Sequence, residues 1–136
     1  MADVTFRNNS GSNLTLILPG PDGRQDAFAG GNIRTYLDTG KYSVKSGADP
    51  IFSFTYERGT LSTDLTGIAV GGGITFNNKS GNPVNVAKPG GEDNLLNDTV
   101  LVYNTVGTYT IKDLAGNTVF IFKYAKGTAT TTINDI

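Results

Sequence analysis

Two acidic stretches are the places in this chain where chemistry could be done. Pro21-Asp22-Gly23-Arg24-Gln25-Asp26 and Gly91-Glu92-Asp93-Asn94 each follow a Pro-Gly pair, Pro19-Gly20 and Pro89-Gly90. Oxygen-rich loops can hold Ca²⁺, which takes roughly six to eight oxygen ligands. Asp22, Asp26, Glu92 and Asp93 are the candidate ligands for such an ion. Neither stretch has EF-hand spacing, and Arg24 opposes a cation in the first. Polar turns that keep strand edges soluble account for the same residues and are the favoured reading. A pair of carboxylates across a cleft could instead hydrolyse a glycosidic bond. Only Glu57 and Glu92 are glutamates, and Ala125 stands where the second half would repeat Glu57, so no duplicated acid pair emerges.

The remaining routes to catalysis close quickly. The chain has no His and no Cys. That removes histidine bases, serine-type triads, thiolates, disulfides and nearly all zinc or copper sites. Gly71-Gly72-Gly73 lacks the Lys-Ser/Thr of a phosphate-binding loop. The expectation is a protein that is not an enzyme and carries no catalytic residue.

The elements that must position these residues are written twice. Val4-Thr5-Phe6-Arg7-Asn8-Asn9-Ser10-Gly11 returns as Ile74-Thr75-Phe76-Asn77-Asn78-Lys79-Ser80-Gly81, and Gly40-Lys41-Tyr42-Ser43-Val44-Lys45 returns as Gly107-Thr108-Tyr109-Thr110-Ile111-Lys112. Phe52-Ser53-Phe54-Thr55-Tyr56 is echoed by Phe120-Ile121-Phe122-Lys123-Tyr124. The offset drifts from 70 to 67 and 68, as loop insertions between preserved strands would make it drift. Two repeats are expected, 1–70 and 71–136, fused tightly because the three glycines between them reach only about 10 Å.

No segment has helical periodicity, whereas short apolar or alternating runs recur between turn residues. Strands are predicted over 4–7, 13–18, 26–29, 33–37, 41–45, 51–57 and 60–66, then 74–77, 84–88, 99–103, 108–112, 118–124 and 128–133. Alternation puts Phe52, Phe54 and Tyr56 on one face, matched by Phe120, Phe122 and Tyr124. The fold class is therefore all-β: an internally duplicated antiparallel sandwich of Greek-key units, fused pseudo-symmetrically. Phe6, Phe52, Phe54, Phe76, Phe120 and Phe122 are the expected core. Tyr36, Tyr56, Tyr103 and Tyr124 could line a sugar platform, although strand packing explains them more simply.

Asp38-Thr39-Gly40-Lys41-Tyr42 resembles the tyrosine corner of immunoglobulin-like sandwiches, in which a tyrosine at a strand start bonds back to the chain upstream. The second half keeps Gly107 and Tyr109 but has Thr105 for the Asp, and Val44 and Ile111 stand where such a domain has its second Cys. The opening Val-x-Phe-x-Asn-x-Ser is also similar to cupredoxin-like sandwiches, with no ligand for copper.

A net charge of −1 with 11 scattered basic residues predicts no attraction to nucleic acid or to an anionic membrane. Apolar runs are far too short to span a bilayer, and no signal peptide is visible, so a cytosolic origin or a mature form is expected. In size, composition and lack of chemistry the chain resembles small β-rich bacteriophage capsid decoration (cement) proteins. The resemblance implies a virion location, a protein lattice such as a major capsid protein as partner, and a homo-oligomer, a dimer or trimer. Asn8, Asn9, Asn78, Lys79, Thr130 and Thr132 are the expected partner contacts, and the run Thr128-Ala129-Thr130-Thr131-Thr132 suits an edge or partner-facing strand. A lectin binding glycans through two related halves is the alternative, and a bacterial surface adhesin fragment at the cell surface is the third.

Overall fold

Fourteen strands and no helix make up residues 2–136, the part of the chain described by a computed structural model. In order they are β1 (Asp3–Asn8), β2 (Leu14–Ile17), β3 (Gln25–Phe28), β4 (Ile33–Tyr36), β5 (Gly40–Ser46), β6 (Asp49–Tyr56) and β7 (Thr60–Gly67). The second half supplies β8 (Gly73–Asn78), β9 (Val84–Lys88), β10 (Gly91–Leu95), β11 (Val100–Tyr103), β12 (Gly107–Lys112), β13 (Thr118–Tyr124) and β14 (Thr128–Asp135). They form a six-stranded sheet, β11-β8-β14-β7-β1-β4, and an eight-stranded sheet, β10-β9-β12-β13-β6-β5-β2-β3.

Both strand orders are palindromes once seven is subtracted from each label of the second half. The six-stranded sheet then reads 4-1-7 against 7-1-4, and the eight-stranded sheet 3-2-5-6 against 6-5-2-3. An immunoglobulin domain divides its strands as ABED and CFG instead. Most pairings are antiparallel, but β1 runs parallel to β7 and β14 parallel to β8. The halves meet along two central pairs, β7 with β14 and β6 with β13. In the first, Thr63 lies opposite Thr131, and their buried hydroxyls bond at 2.9 Å. In the second, Phe54 lies opposite Phe122.

One buried cluster spans both halves. Period-two alternation turns Phe52, Phe54, Tyr56, Phe120, Phe122 and Tyr124 inward, and all six are buried. Phe52 stacks on Phe122 at 4.9 Å, and Phe54 on Phe120 at 4.7 Å, so each half inserts its rings against the other's. Stacked and edge-on aromatic pairs add to the area they bury, which makes this seam the centre of cohesion.

The glycines between the halves make a close crossing. A Cβ on Gly72 would fall on Thr128 Oγ1 and within 2.7 Å of the Gly127 carbonyl oxygen. Gly73 is buried, and its N–H donates to the Tyr124 hydroxyl at 2.9 Å. That hydroxyl in turn donates to the Gly127 carbonyl at 2.8 Å, as the Tyr56 hydroxyl does to Gly59 at 2.6 Å.

Two sequence expectations need correction here. The stretch Gly91–Asn94, read as a loop, belongs to β10, whose residues pair with β9 from Gly91 opposite Lys88 to Leu95 opposite Val84. The Thr-rich stretch lies in β14 at the middle of its sheet, with β7 on one side and β8 on the other, and not at an edge.

Candidate functional site

The Asn-Ser-Gly turns, expected to face a partner, are organised around buried asparagines. Asn8 and Asn78 are each 0% exposed and cannot be surface contacts. The Asn8 amide nitrogen donates to the carbonyls of Ser12 and Phe28, both at 2.7 Å, while its oxygen accepts from the Ser10 N–H and hydroxyl. Asn78 repeats this with Asn82, Leu95 and Ser80. The side chain thus satisfies carbonyls that the turn strips from the ladder, which is why the fold draws it inward. Asn78→Ala should cost roughly 1–3 kcal/mol, because it leaves buried backbone groups unpaired; a urea titration matching wild type would overturn this role. Asn9 and Lys79 are exposed, Asn9 bonding Asp64 at 2.6 Å and Lys79 lying 3.5 Å from Asp98.

Both corner tyrosines have the geometry expected of them. The Tyr42 hydroxyl donates to the Asp38 carbonyl at 2.5 Å, and the Tyr109 hydroxyl to the Thr105 carbonyl at 2.5 Å. The bond is made to backbone, so Thr105 replaces the Asp without loss. Tyr42→Phe or Tyr109→Phe should each lower stability by roughly 0.5–1.5 kcal/mol, one net hydrogen bond. Unchanged urea midpoints for both variants would rule that out.

Tyrosines also take up two of the four acids considered as ion ligands. The Tyr36 hydroxyl donates to Asp26 Oδ2 at 2.6 Å, and the Tyr103 hydroxyl to Asp93 Oδ2 at 2.7 Å. Lys88 Nζ lies 2.9 Å from the same Asp93 oxygen. The Tyr103 hydrogen bond, and after it Lys88, hold the Asp93 carboxyl below its ordinary range. Burial first, and then the bonded aspartate, push the Tyr36 and Tyr103 phenols well above theirs. Asp22 and Glu92 are exposed. Among the described residues no three carboxylates gather as an ion would require. Asp22 instead lines a hollow of about 260 Å³ with Pro19, Arg24, Tyr36, Asp38 and Tyr42. Of the suggested platform tyrosines, Tyr56 and Tyr124 are buried, and only Tyr36 and Tyr103 are part-exposed.

The Thr-rich stretch contributes to the outer face of the six-stranded sheet. Thr131 points inward with Ala129 and Ile133, and the alternation leaves Thr130 and Thr132 on the outside. Register carries two rows across the sheet from them. One runs Thr35, Thr5, Ser62, Thr132, Asn77, Val100, and the other Ile33, Arg7, Asp64, Thr130, Thr75, Val102. The middle is mostly hydroxyl and amide, with Arg7 and Asp64 side by side in the second row and Thr5 and Thr35 bonded at 3.0 Å in the first. Ile33, Val100 and Val102, at the ends, are more than half exposed. The edge strand β11, Val100-Leu101-Val102-Tyr103, carries no charge and no proline, whereas β3 and β10 carry Asp26, Glu92 and Asp93 and β4 carries Arg34.

Fold and site together define a two-sheet β-sandwich whose polar groups serve turns, corners and surfaces. No family model and no curated protein matches the chain. Among the described residues no helix is long and apolar enough to cross a membrane.

Proposed function

We propose that the protein is a non-enzymatic structural protein that docks on other proteins, specifically a decoration or cement protein on a capsid lattice. The observation that carries this reading is the outer face of the six-stranded sheet. It is a broad hydroxyl-rich surface that ends in exposed aliphatic residues beside an edge strand left without charge or proline. Proteins usually guard such edges, because unpaired backbone groups next to apolar side chains recruit another strand. A homo-oligomer fits the same feature, with β11 as the strand that pairs between copies. In this reading the two halves are copies of one unit that kept its core and turns while their surfaces diverged.

The test is biochemical. The protein should copurify with virus particles at near-stoichiometric ratio to a shell protein, and Val102→Lys should abolish that association while leaving thermal unfolding unchanged. Absence from purified particles would overturn the reading. The hollow beside Tyr36, lined by Asp22, Arg24 and Asp38, favours a second reading as a glycan-binding protein. Strong, selective hits on a glycan array that Asp22→Ala removes would establish it in place of the first.

A further inference from the structure

Basic residues that are scattered in sequence are gathered by the eight-stranded sheet. Lys41, Ser43 and Lys45 alternate along β5, and cross-strand register carries Ser43 to Ser53 and Ser53 to Lys123. These five side chains line a groove of about 420 Å³ over the seam between the halves, floored and walled by Ile17, Pro50 and Val106 among others. No carboxylate among the described residues lines it. Among the described residues none of the three lysines makes an ion pair, while Lys79, Lys88 and Lys126 each have an acidic partner. Asp49, next to Pro50, is drawn to Lys126 at 3.5 Å.

The molecule contains its own control. In the sequence correspondence between halves, Lys41, Lys45 and Lys123 match Thr108, Lys112 and Thr55, and Ala125 matches Glu57. The equivalent surface, on β12 and β6, has the same strand order with one lysine for three and an acid added. The strand order therefore does not depend on the three lysines, and their convergence on one side leaves a positively charged surface that the fold does not use. Along a strand, Lys41 and Lys45 are set about 13 Å apart, and Lys123 lies two strands, about 10 Å, from Ser43. Charges so spread suit several anionic groups better than a single small anion. The aliphatic wall suits apolar groups placed between them.

We infer that this groove receives an acidic segment of a partner protein, with carboxylate side chains alternating with apolar ones. The inference rests on the protein-docking reading above and adds the chemistry of the segment bound. An extended peptide of repeating Glu-Ser-Leu-Ser, which sets carboxylate and apolar groups in turn on one face, is the probe, titrated against the full chain while the lysine side-chain ammonium signals are followed by NMR. Saturable shifts confined to Lys41, Lys45 and Lys123 are expected, weakening as salt rises. Replacing all three with Gln should weaken binding about tenfold or more, and Lys112→Gln should leave it unchanged. Binding unaffected by the triple substitution, or inorganic phosphate binding as tightly as the peptide, would overturn the inference. Particle copurification separates the two proposals. A triple variant that still decorates particles at wild-type ratio sinks the groove alone, whereas peptide binding by a protein absent from particles sinks the lattice alone.

Discussion

Phe122→Ala is expected to bring the protein to the edge of unfolding, and to do so in one transition. Phe122 stacks on Phe52 at 4.9 Å and meets Phe54 and Phe76 edge-on at 6.2 and 5.9 Å. It is fully buried and sits on the pair that joins the halves. Truncating a buried phenylalanine removes both its transfer free energy and the contacts around the cavity left behind, roughly 3–5 kcal/mol. Against a total of about 5–15 kcal/mol for a domain, that is a large share. Its counterpart Phe54 stacks on Phe120 at 4.7 Å, so Phe54→Ala should fall in the same range. The shape of the urea curve is as informative as its midpoint. Because the core is shared, fluorescence and circular dichroism should shift together. Two separable transitions, one left at the wild-type position, would mean that each half has a core of its own.

Alkali should unfold the protein between pH 10 and 12, with tyrosinate absorbance appearing in step with the loss of structure. Burial raises the phenols of Tyr36, Tyr42, Tyr56, Tyr103 and Tyr109 above the ordinary value of 10.0. Tyr42 is pushed up to about 12, by burial first and then by the nearby Asp38 charge. A group whose folded value is raised stabilises the fold fully below its unfolded value. That contribution drains away as pH climbs through 10 toward the folded value, since only the unfolded chain can then release the proton. For Tyr42 the interval from 10.0 to about 12 corresponds to roughly 2–3 kcal/mol. Tyr42→Phe, less stable than wild type at neutral pH only by its lost hydrogen bond to Asp38, should lose less between pH 10 and 12. Gradual phenol ionisation near pH 10 with the fold intact would refute this account.

The sequence announces its strands wherever one face is buried, because alternation such as Phe52-Ser53-Phe54-Thr55-Tyr56 has no other use. The corner tyrosines are legible for a similar reason: their bond goes to backbone, so a short spacing suffices. What stays hidden depends on partners distant in the chain. Gly91–Leu95 has the composition of a turn, and β10 exists because β9 supplies its ladder. Its match to Gln25–Phe28, the strand β3, is the signal that points to it. Asn8 and Asn78 look like surface residues until the carbonyls of Phe28 and Leu95, 20 and 17 residues on, are placed beside them. Thr130 and Thr132 do face outward, but no local pattern shows that their strand has neighbours on both sides. Nor could the groove lysines be assembled from spacing, since Lys123 joins Lys41 and Lys45 only across the β6–β13 pair.

That pair and its companion have the geometry of an isologous interface held inside a single chain. In a two-fold dimer residue i of one subunit meets j of the other and j meets i, with self-matched residues on the axis. Here Phe52 lies opposite Tyr124 as Tyr56 lies opposite Phe120, and Phe54 with Phe122 and Thr63 with Thr131 occupy the axis. Severing the chain at the exposed Gly71 would therefore leave two fragments with complementary faces, able to find one another again without the link. A lone first half would present, in its bared β6 and β7 edges, a surface complementary to a second copy of itself.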